Sequence, residues 1–365
     1  SAHHTGMSVQ FFPLTIRDIQ RQTDDAIAIT FDVAEDLRPV FNYKQGQYLT
    51  IRLDVDGVSH RRNYSLCSSP YWDEPLTIAV KKVGDGVVSS WLLHNAKPGD
   101  VIEAYPPMGN FTKELRPDQA RHYVLFGGGS GITPLYSILK SILRVEPDSV
   151  VTLIYANRTR DAVIFRAELE ALVNSHPGKL RLVHFVEEGA EGADRQGRMD
   201  EDMVAAVLNE WVPVLDTADF FVCGPTPMMD NVINVLHRKG VNDRHIHREY
   251  FTLDRNGMNP EMAADNTAAT DDIVRRTVRI RLYGSEHSFD VDPDESILMA
   301  AQKADLDPPY ACQIGACCTC RARLISGKVK MDEREALSDD EIAEGYILTC
   351  QSHPLTDDVV ADYDQ

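Results

Sequence analysis

No stretch of this sequence stays apolar for about 18 residues, so no helix of it is expected to cross a membrane, and no signal-peptide pattern opens it. Residues 1–7 (Ser-Ala-His-His-Thr-Gly-Met) read as a tag remnant and are left out of the fold reasoning. Basic residues are scarce. Lys and Arg number 37 against 56 Asp and Glu, a formal net charge of −19. Nucleic acid is excluded as a partner on that ground, because neutralising phosphates takes clustered cations. No H-E-x-x-H or other paired histidine spacing occurs; His245 and His247 read as structural, and His60, beside Arg61 and Arg62, reads as a surface residue. No internal repeat is present. Cysteine is sparse too, with seven in 365 residues. Four of the seven fall at metal-ligand spacing, which points to a reducing cytoplasm and not to a disulfide framework.

Those four dominate what is present. Cys312, Cys317 and Cys320 form C-x4-C-x2-C, and Cys350 follows in Tyr346-Ile-Leu-Thr-Cys350-Gln351. That is the spacing of a plant-type [2Fe–2S] site. A structural zinc site is the alternative, but zinc modules bring their ligands in close pairs, whereas the second half here supplies Cys350 alone. Gly315 gives the loop freedom to turn around a cluster. Cys318 lies between two ligands and reads as a small packed thiol. From Asp272 onward 10 Lys and Arg face 19 Asp and Glu, which is either a solvated acidic face or a steering surface for a basic partner.

A chain of 365 residues exceeds one hydrophobic core, and its patterning divides it. Residues 8–115 hold short β-branched runs (26–31, 48–53 and 76–80) between turn signals, with one helix from about residue 88 to 95; this suggests a small antiparallel barrel. Residues 116–253 alternate strands (123–126, 150–155, 180–186, 220–223) with helices near 133–143, 165–173 and 228–239, which implies a doubly wound parallel α/β sheet. Residues 254–271 are polar and aperiodic and read as a linker. Residues 272–365 bring two strands, a helix near 295–304 with Asp294 as its cap, and the cysteine loop, a small α+β domain.

Three further stretches carry chemistry. Gly127-Gly128-Gly129-Ser130-Gly131 sits between a strand and a helix, where backbone N–H groups can approach a pyrophosphate; a tight structural turn is the other reading. It is neither G-x-G-x-x-G, since Ile132 takes the last position, nor a P-loop, nor a nucleophile elbow. Cys223-Gly224-Pro225, with Met228 opening the next helix, would bring a second turn to the same sheet edge. Arg62-Asn63-Tyr64-Ser65-Leu66 ends a strand, and Gly86-Val87-Val88-Ser89 heads a helix whose free N–H groups offer a phosphate seat.

These four ordered motifs resemble the ferredoxin–NADP reductase superfamily, in the branch with a plant-type ferredoxin fused at the C-terminus. The resemblance spans the chain from Ser8 to Gln365. It implies an antiparallel β-barrel flavin domain, a doubly wound parallel-sheet nucleotide domain and an α+β β-grasp ferredoxin domain. Tyr64 would pack on the FAD isoalloxazine, with Ser65 and Leu66 beside it. Arg62 and the N–H groups around Gly86, Val88 and Ser89 would hold the FAD pyrophosphate. Gly128, Gly129, Gly131, Thr133 and Pro134 would cradle the nicotinamide dinucleotide, with Gly224, Pro225 and Met228 opposite and Cys223 near the nicotinamide. Glu249 and Phe251 resemble the family's closing E-x-F, near the flavin. Cys312, Cys317, Cys320 and Cys350 would ligate the cluster; Cys318 departs from the Gly or Ala expected there. Asn157, Arg158 and Arg160 end the second nucleotide strand, where Arg favours the 2′-phosphate of NADPH over NADH. The implied function is an NAD(P)H-dependent reductase feeding electrons through FAD and [2Fe–2S] to an oxygenase, a di-iron epoxidase of the phenylacetyl-CoA type ahead of a Rieske-type hydroxylase. A non-enzymatic iron–sulfur carrier and a diaphorase are the rivals.

Overall fold

The structure, a computed structural model, describes residues 10–82, 86–189, 193–250, 273–313, 315, 317–334 and 336–365. Six strands form the first sheet: β1 (Phe12–Thr23), β2 (Ala26–Asp32), β3 (Tyr48–Val55), β4 (Val58–Ser65), β5 (Thr77–Lys81) and β6 (Val101–Met108), in the order β4-β3-β6-β1-β2-β5 and antiparallel throughout. A bridge from Leu66 to Ile78 joins the two outer strands and closes the barrel. Side chains alternate across a strand. Ile27, Ile29 and Phe31 therefore fill the barrel together with Ile78 and Val80. Ala26, Ala28 and Ala79 face outward, small enough for the next domain to pack against them. Each buried Ile or Phe contributes roughly 1.5–3 kcal/mol. Helix α1 (Val87–Asn95) covers one end.

The second sheet holds β7 (His122–Gly128), β8 (Val150–Thr159), β9 (Leu180–Glu188), β10 (Arg195–Gln196), β11 (Ala218–Gly224) and β12 (Ile246–Tyr250), ordered β10-β9-β8-β7-β11-β12 with parallel pairing. Strand β7 is apolar on both faces. Tyr123 and Leu125 pack towards α2 (Ile132–Val145) and α3 (Arg166–Ser175). Val124 and Phe126 pack towards α4 (Glu201–Trp211) and α5 (Thr226–Arg238). Chain order reverses between β7 and β11, which is where open α/β sheets bind ligands. Helix α2 is buried on both sides because it also meets the barrel: Ser137 Oγ donates to the Ser68 carbonyl at 2.7 Å, and Trp72 Nε1 donates to the Lys140 carbonyl at 2.8 Å. Asp219, 1% exposed at the start of β11, gathers Lys113 from the segment after the barrel at 2.5 Å, Arg121, His245 at 3.2 Å and His247 at 3.9 Å. Burial alone would raise its pKa, but His247 and Lys113 outweigh that and hold it well below the usual range.

The third sheet comprises β13 (Arg276–Leu282), β14 (Ser285–Val291), β15 (Arg321–Ser326), β17 (Tyr346–Leu348) and β19 (Val360–Asp362), ordered β14-β13-β19-β15-β17, while β16 (Val329–Met331) pairs with β18 (Ser352–Pro354). Helix α6 (Ile297–Lys303) packs on it, and α7 (Asp339–Ala343) precedes β17.

Two expectations are corrected. The cap of α6 is Ser296, whose Oγ accepts from the Met299 N–H at 3.1 Å; residues 292–295 form a separate turn, closed by Glu295 N–H to Asp292 O, and this leaves Asp294 outside the helix. His60 is 5% exposed and not a surface residue, because the outer strand β4 is covered by the third domain. Phe251 and the linker 254–271 lie outside the described residues.

Candidate active site

A cavity of 1040 Å³ is lined by residues of all three domains. Its barrel wall is the end of β4, with Arg62, Tyr64 and Ser65, and beside it the start of α1, with Gly86, Val88 and Ser89. First-turn N–H groups of a helix have no intrahelical acceptor, so this wall offers donors to an anion beside an aromatic ring. Burial pushes the Tyr64 phenol above its ordinary range and keeps it neutral. Leu66 is different: its side chain is wholly buried in the barrel core, and it is not among the residues lining the cavity.

The two turns of the nucleotide domain meet at the switch point. Cys223 pairs in register with Gly127 across β7 and β11. A Cβ on Gly131 would stand 2.2 Å from the Cys223 carbonyl oxygen, and one on Gly128 would stand 2.6 Å from Met228 Sδ and 2.9 Å from Pro225. These two glycines are thus required by the close approach of the turns, whereas Gly129 has a φ of +52° and faces Lys81 Nζ of the barrel. Thr133 Oγ1 donates back to the Ser130 carbonyl at 2.9 Å, and Pro134 sits in the first turn of α2, where no N–H is needed. At the end of β8, Asn157 is 8% exposed and its Nδ2 lacks a partner. Arg158 is exposed and loosely paired with Glu188 at 3.7 Å; Arg160 is exposed as well.

Glu249 lies on the cavity wall at the end of β12. Its Oε2 is shielded from solvent and has no hydrogen-bond partner. Burial raises its pKa to about 8, so the carboxyl carries a proton at neutral pH. The neighbouring Cys223 thiol is pushed up by burial and then by the Glu249 charge, which leaves it protonated and a poor nucleophile.

The cysteine loop reaches the cavity through Cys318 and Thr319, while Cys312, Cys317, Cys320 and Cys350 lie behind that lining. Its thiols form two pairs: Cys312 interacts with Cys317, and Cys320 with Cys350. Each partner sulfur, together with burial, pushes the Cys317 and Cys320 thiols above their ordinary range. Among the described residues no group of three or more His, Cys, Asp or Glu converges as a single ion would require. Two pairs fit two irons with two thiolates each. Gly315 turns the loop with a φ of +74°. The loop is seated on the barrel: Tyr48 hydrogen-bonds Thr319, Arg61 Nη1 reaches the Gly315 carbonyl at 3.4 Å, and Asn110 Nδ2 donates to the Tyr310 carbonyl at 3.1 Å. Cys318 donates to the Ala336 carbonyl at 3.0 Å, and burial raises its pKa to about 12, as befits a packed thiol.

Tyr48, Lys81, Arg61 and Glu341 also line the cavity and were not singled out from sequence. Glu341 carried a legible signal, the capping box Ser338-x-x-Glu341. The other three sit on ordinary strands and become visible only once the domains are packed.

A barrel with an anion-seating wall and a dinucleotide sheet around one cavity, with the loop that carries the paired thiols at its edge, define an iron–sulfur flavoprotein that carries electrons from a nicotinamide nucleotide. Residues 13–112 match the oxidoreductase FAD-binding domain, 125–233 the oxidoreductase NAD-binding domain and 280–355 the 2Fe-2S iron-sulfur cluster binding domain. The chain is 34% identical to one of the subunits of 1,2-phenylacetyl-CoA epoxidase from Escherichia coli K12, over 97% of this chain and 98% of that protein. It is 36% identical to the ferredoxin reductase component of 3-ketosteroid-9-alpha-monooxygenase from Rhodococcus rhodochrous, over 94% of each. The fold is that of phthalate dioxygenase reductase (TM-score 0.55, 24% identity, 96% of this chain and 98% of that one). The chain belongs to the ferredoxin–NADP reductase superfamily, among the reductase components of multicomponent oxygenases. It is an NAD(P)H-dependent oxidoreductase that takes FAD, a nicotinamide nucleotide and a [2Fe–2S] cluster and hands electrons to a separate oxygenase component.

Proposed function

We propose that this chain serves a di-iron oxygenase of the phenylacetyl-CoA epoxidase type, with a flavin domain over residues 8–115, a nucleotide domain over 116–253 and a ferredoxin domain over 272–365. The observation carrying the site assignment is that the Arg62–Ser65 strand end and the paired-thiol loop share one cavity. When bound, FAD would supply two-electron hydride chemistry and the cluster one-electron transfer, chemistry that belongs to the cofactors. The chain's own residues bind and orient. Arg62 and the α1 N-terminus receive the diphosphate, Tyr64 supplies a neutral aromatic wall, and Ser65 supplies a hydroxyl at the ring edge. Gly128, Gly129, Gly131 and Thr133, facing Cys223, Gly224, Pro225 and Met228, admit the dinucleotide at the switch point. Glu249 holds a proton on its carboxyl beside the cavity, so this wall brings no negative charge near the hydride. Cys312 with Cys317, and Cys320 with Cys350, supply the iron ligands.

Arg158 and Arg160 favour NADPH, since the Arg158–Glu188 pair is solvent-exposed and an exposed pair holds its guanidinium weakly. Free thiols at cluster spacing favour a reducing cytoplasm. The test is reconstitution: the purified chain with NADPH and a phenylacetyl-CoA epoxidase oxygenase gives epoxide, and with a ketosteroid hydroxylase oxygenase it gives little. Faster turnover with the steroid system contradicts the epoxidase assignment.

A further inference from the structure

Glu341 belongs to α7 of the ferredoxin domain, yet it is 6% exposed against the flavin barrel. Its two carboxylate oxygens serve two domains. Oε1 accepts from Arg62 Nη1 at 2.9 Å, on the strand that ends in Tyr64 and Ser65. Oε2 accepts from Arg321 Nη1 at 2.8 Å, the residue that directly follows Cys320. Arg321 in turn lies over the Tyr346 ring at 4.3 Å, on the strand leading to Cys350. One side chain thus ties the flavin-side strand to both ends of one thiol pair. The contact is shielded, with Arg62 at 24% and Arg321 at 29% side-chain exposure, so bulk solvent screens it less than a surface pair.

We propose that Glu341 is a positioning residue for electron transfer within the chain: by bridging Arg62 and Arg321 it holds the cluster loop docked on the flavin wall of the cavity. The proposal rests on the assignment of that cavity to FAD and of the four cysteines to the cluster.

Glu341→Gln isolates the charge, since a carboxamide keeps the capping-box acceptor for the Ser338 N–H. The experiment is anaerobic stopped flow on holoprotein mixed with NADPH, following flavin bleaching and cluster bleaching separately, with FAD and iron assayed first. The expected result is full FAD and iron, flavin reduction at the wild-type rate, and cluster reduction slowed about tenfold as the docked fraction falls. Ser338→Ala weakens the cap without removing the bridge and is expected to reduce its cluster at the wild-type rate. Wild-type cluster reduction in Glu341→Gln overturns the proposal. So does loss of iron or FAD from that variant, or equal slowing in Ser338→Ala. Wild-type protein without FAD or iron overturns the underlying site assignment instead, before any variant is compared.

Discussion

Replacing Gly131 by alanine asks a methyl group to occupy space already filled by backbone. The φ of −61° there suits any residue, so the penalty is purely steric. The new Cβ would lie 2.2 Å from the Cys223 carbonyl oxygen and 2.8 Å from the Gly224 nitrogen, where ordinary contact begins at 3.4 Å. The glycine turn must therefore retreat from β11 by about 1 Å. Overpacking that side chains can absorb costs about 1–3 kcal/mol, and here both parties are main chain, so about 3 kcal/mol is expected. The function should suffer more than the stability, because the two turns form the dinucleotide seat. A misplacement of about 1 Å near reacting groups can cost about 10²-fold in rate. The assay is kcat/KM for NADPH in the flavin-reduction half-reaction, with thermal unfolding alongside and Ser130→Ala as a control that adds no atom to the turn. A fall of about 100-fold with retained FAD is the expected outcome. Alanine at 131 with wild-type kcat/KM and melting temperature would refute the close apposition of the turns.

Three other outcomes follow from the same geometry. Glu249 keeps its proton up to about pH 8 when folded, whereas the ordinary value is 4.5; the folded chain therefore binds an extra proton between these values, and stability declines as pH rises from 4.5 to 8 and then levels. Glu249→Gln should flatten that decline, worth at most about 1.4 kcal/mol per pH unit, and parallel melting curves for the two proteins would count against it. Cys350→Ser should lose iron and visible cluster absorbance while keeping FAD, whereas Cys318→Ser should keep both, since Cys318 packs against the Ala336 carbonyl; equal iron loss would make Cys318 a ligand. Arg158→Ala with Arg160→Ala should lower kcat/KM for NADPH about tenfold or more and leave NADH nearly unchanged, and an unchanged coenzyme ratio would remove these arginines from the 2′-phosphate site.

Much of this was legible because the signals are local. C-x4-C-x2-C and the distant Cys350 need only spacing, and strands such as β2 announce themselves by alternating Ile27, Ile29 and Phe31. Helix α4 also has a legible start signal in Asp200, whose side chain accepts from the Met203 N–H at 2.8 Å ahead of Val204, Val207 and Leu208. What sequence could not carry is contact between distant segments. Arg62 and Glu341 are 279 residues apart, and no periodicity links them. His60 misled for the same reason: two flanking arginines suggest solvent, but a third domain covers that strand. Leu66, placed by motif beside a cofactor, turns into the core because it forms the bridge that closes the barrel.

The most direct test of the central claim is to measure flavin, iron and zinc in the purified chain and then add NADPH without oxygen. One FAD and about two irons per chain, no zinc, and bleaching first of flavin and then of cluster are predicted. A colourless protein holding zinc, or a coloured one whose cluster stays oxidised while its flavin is reduced, would contradict it.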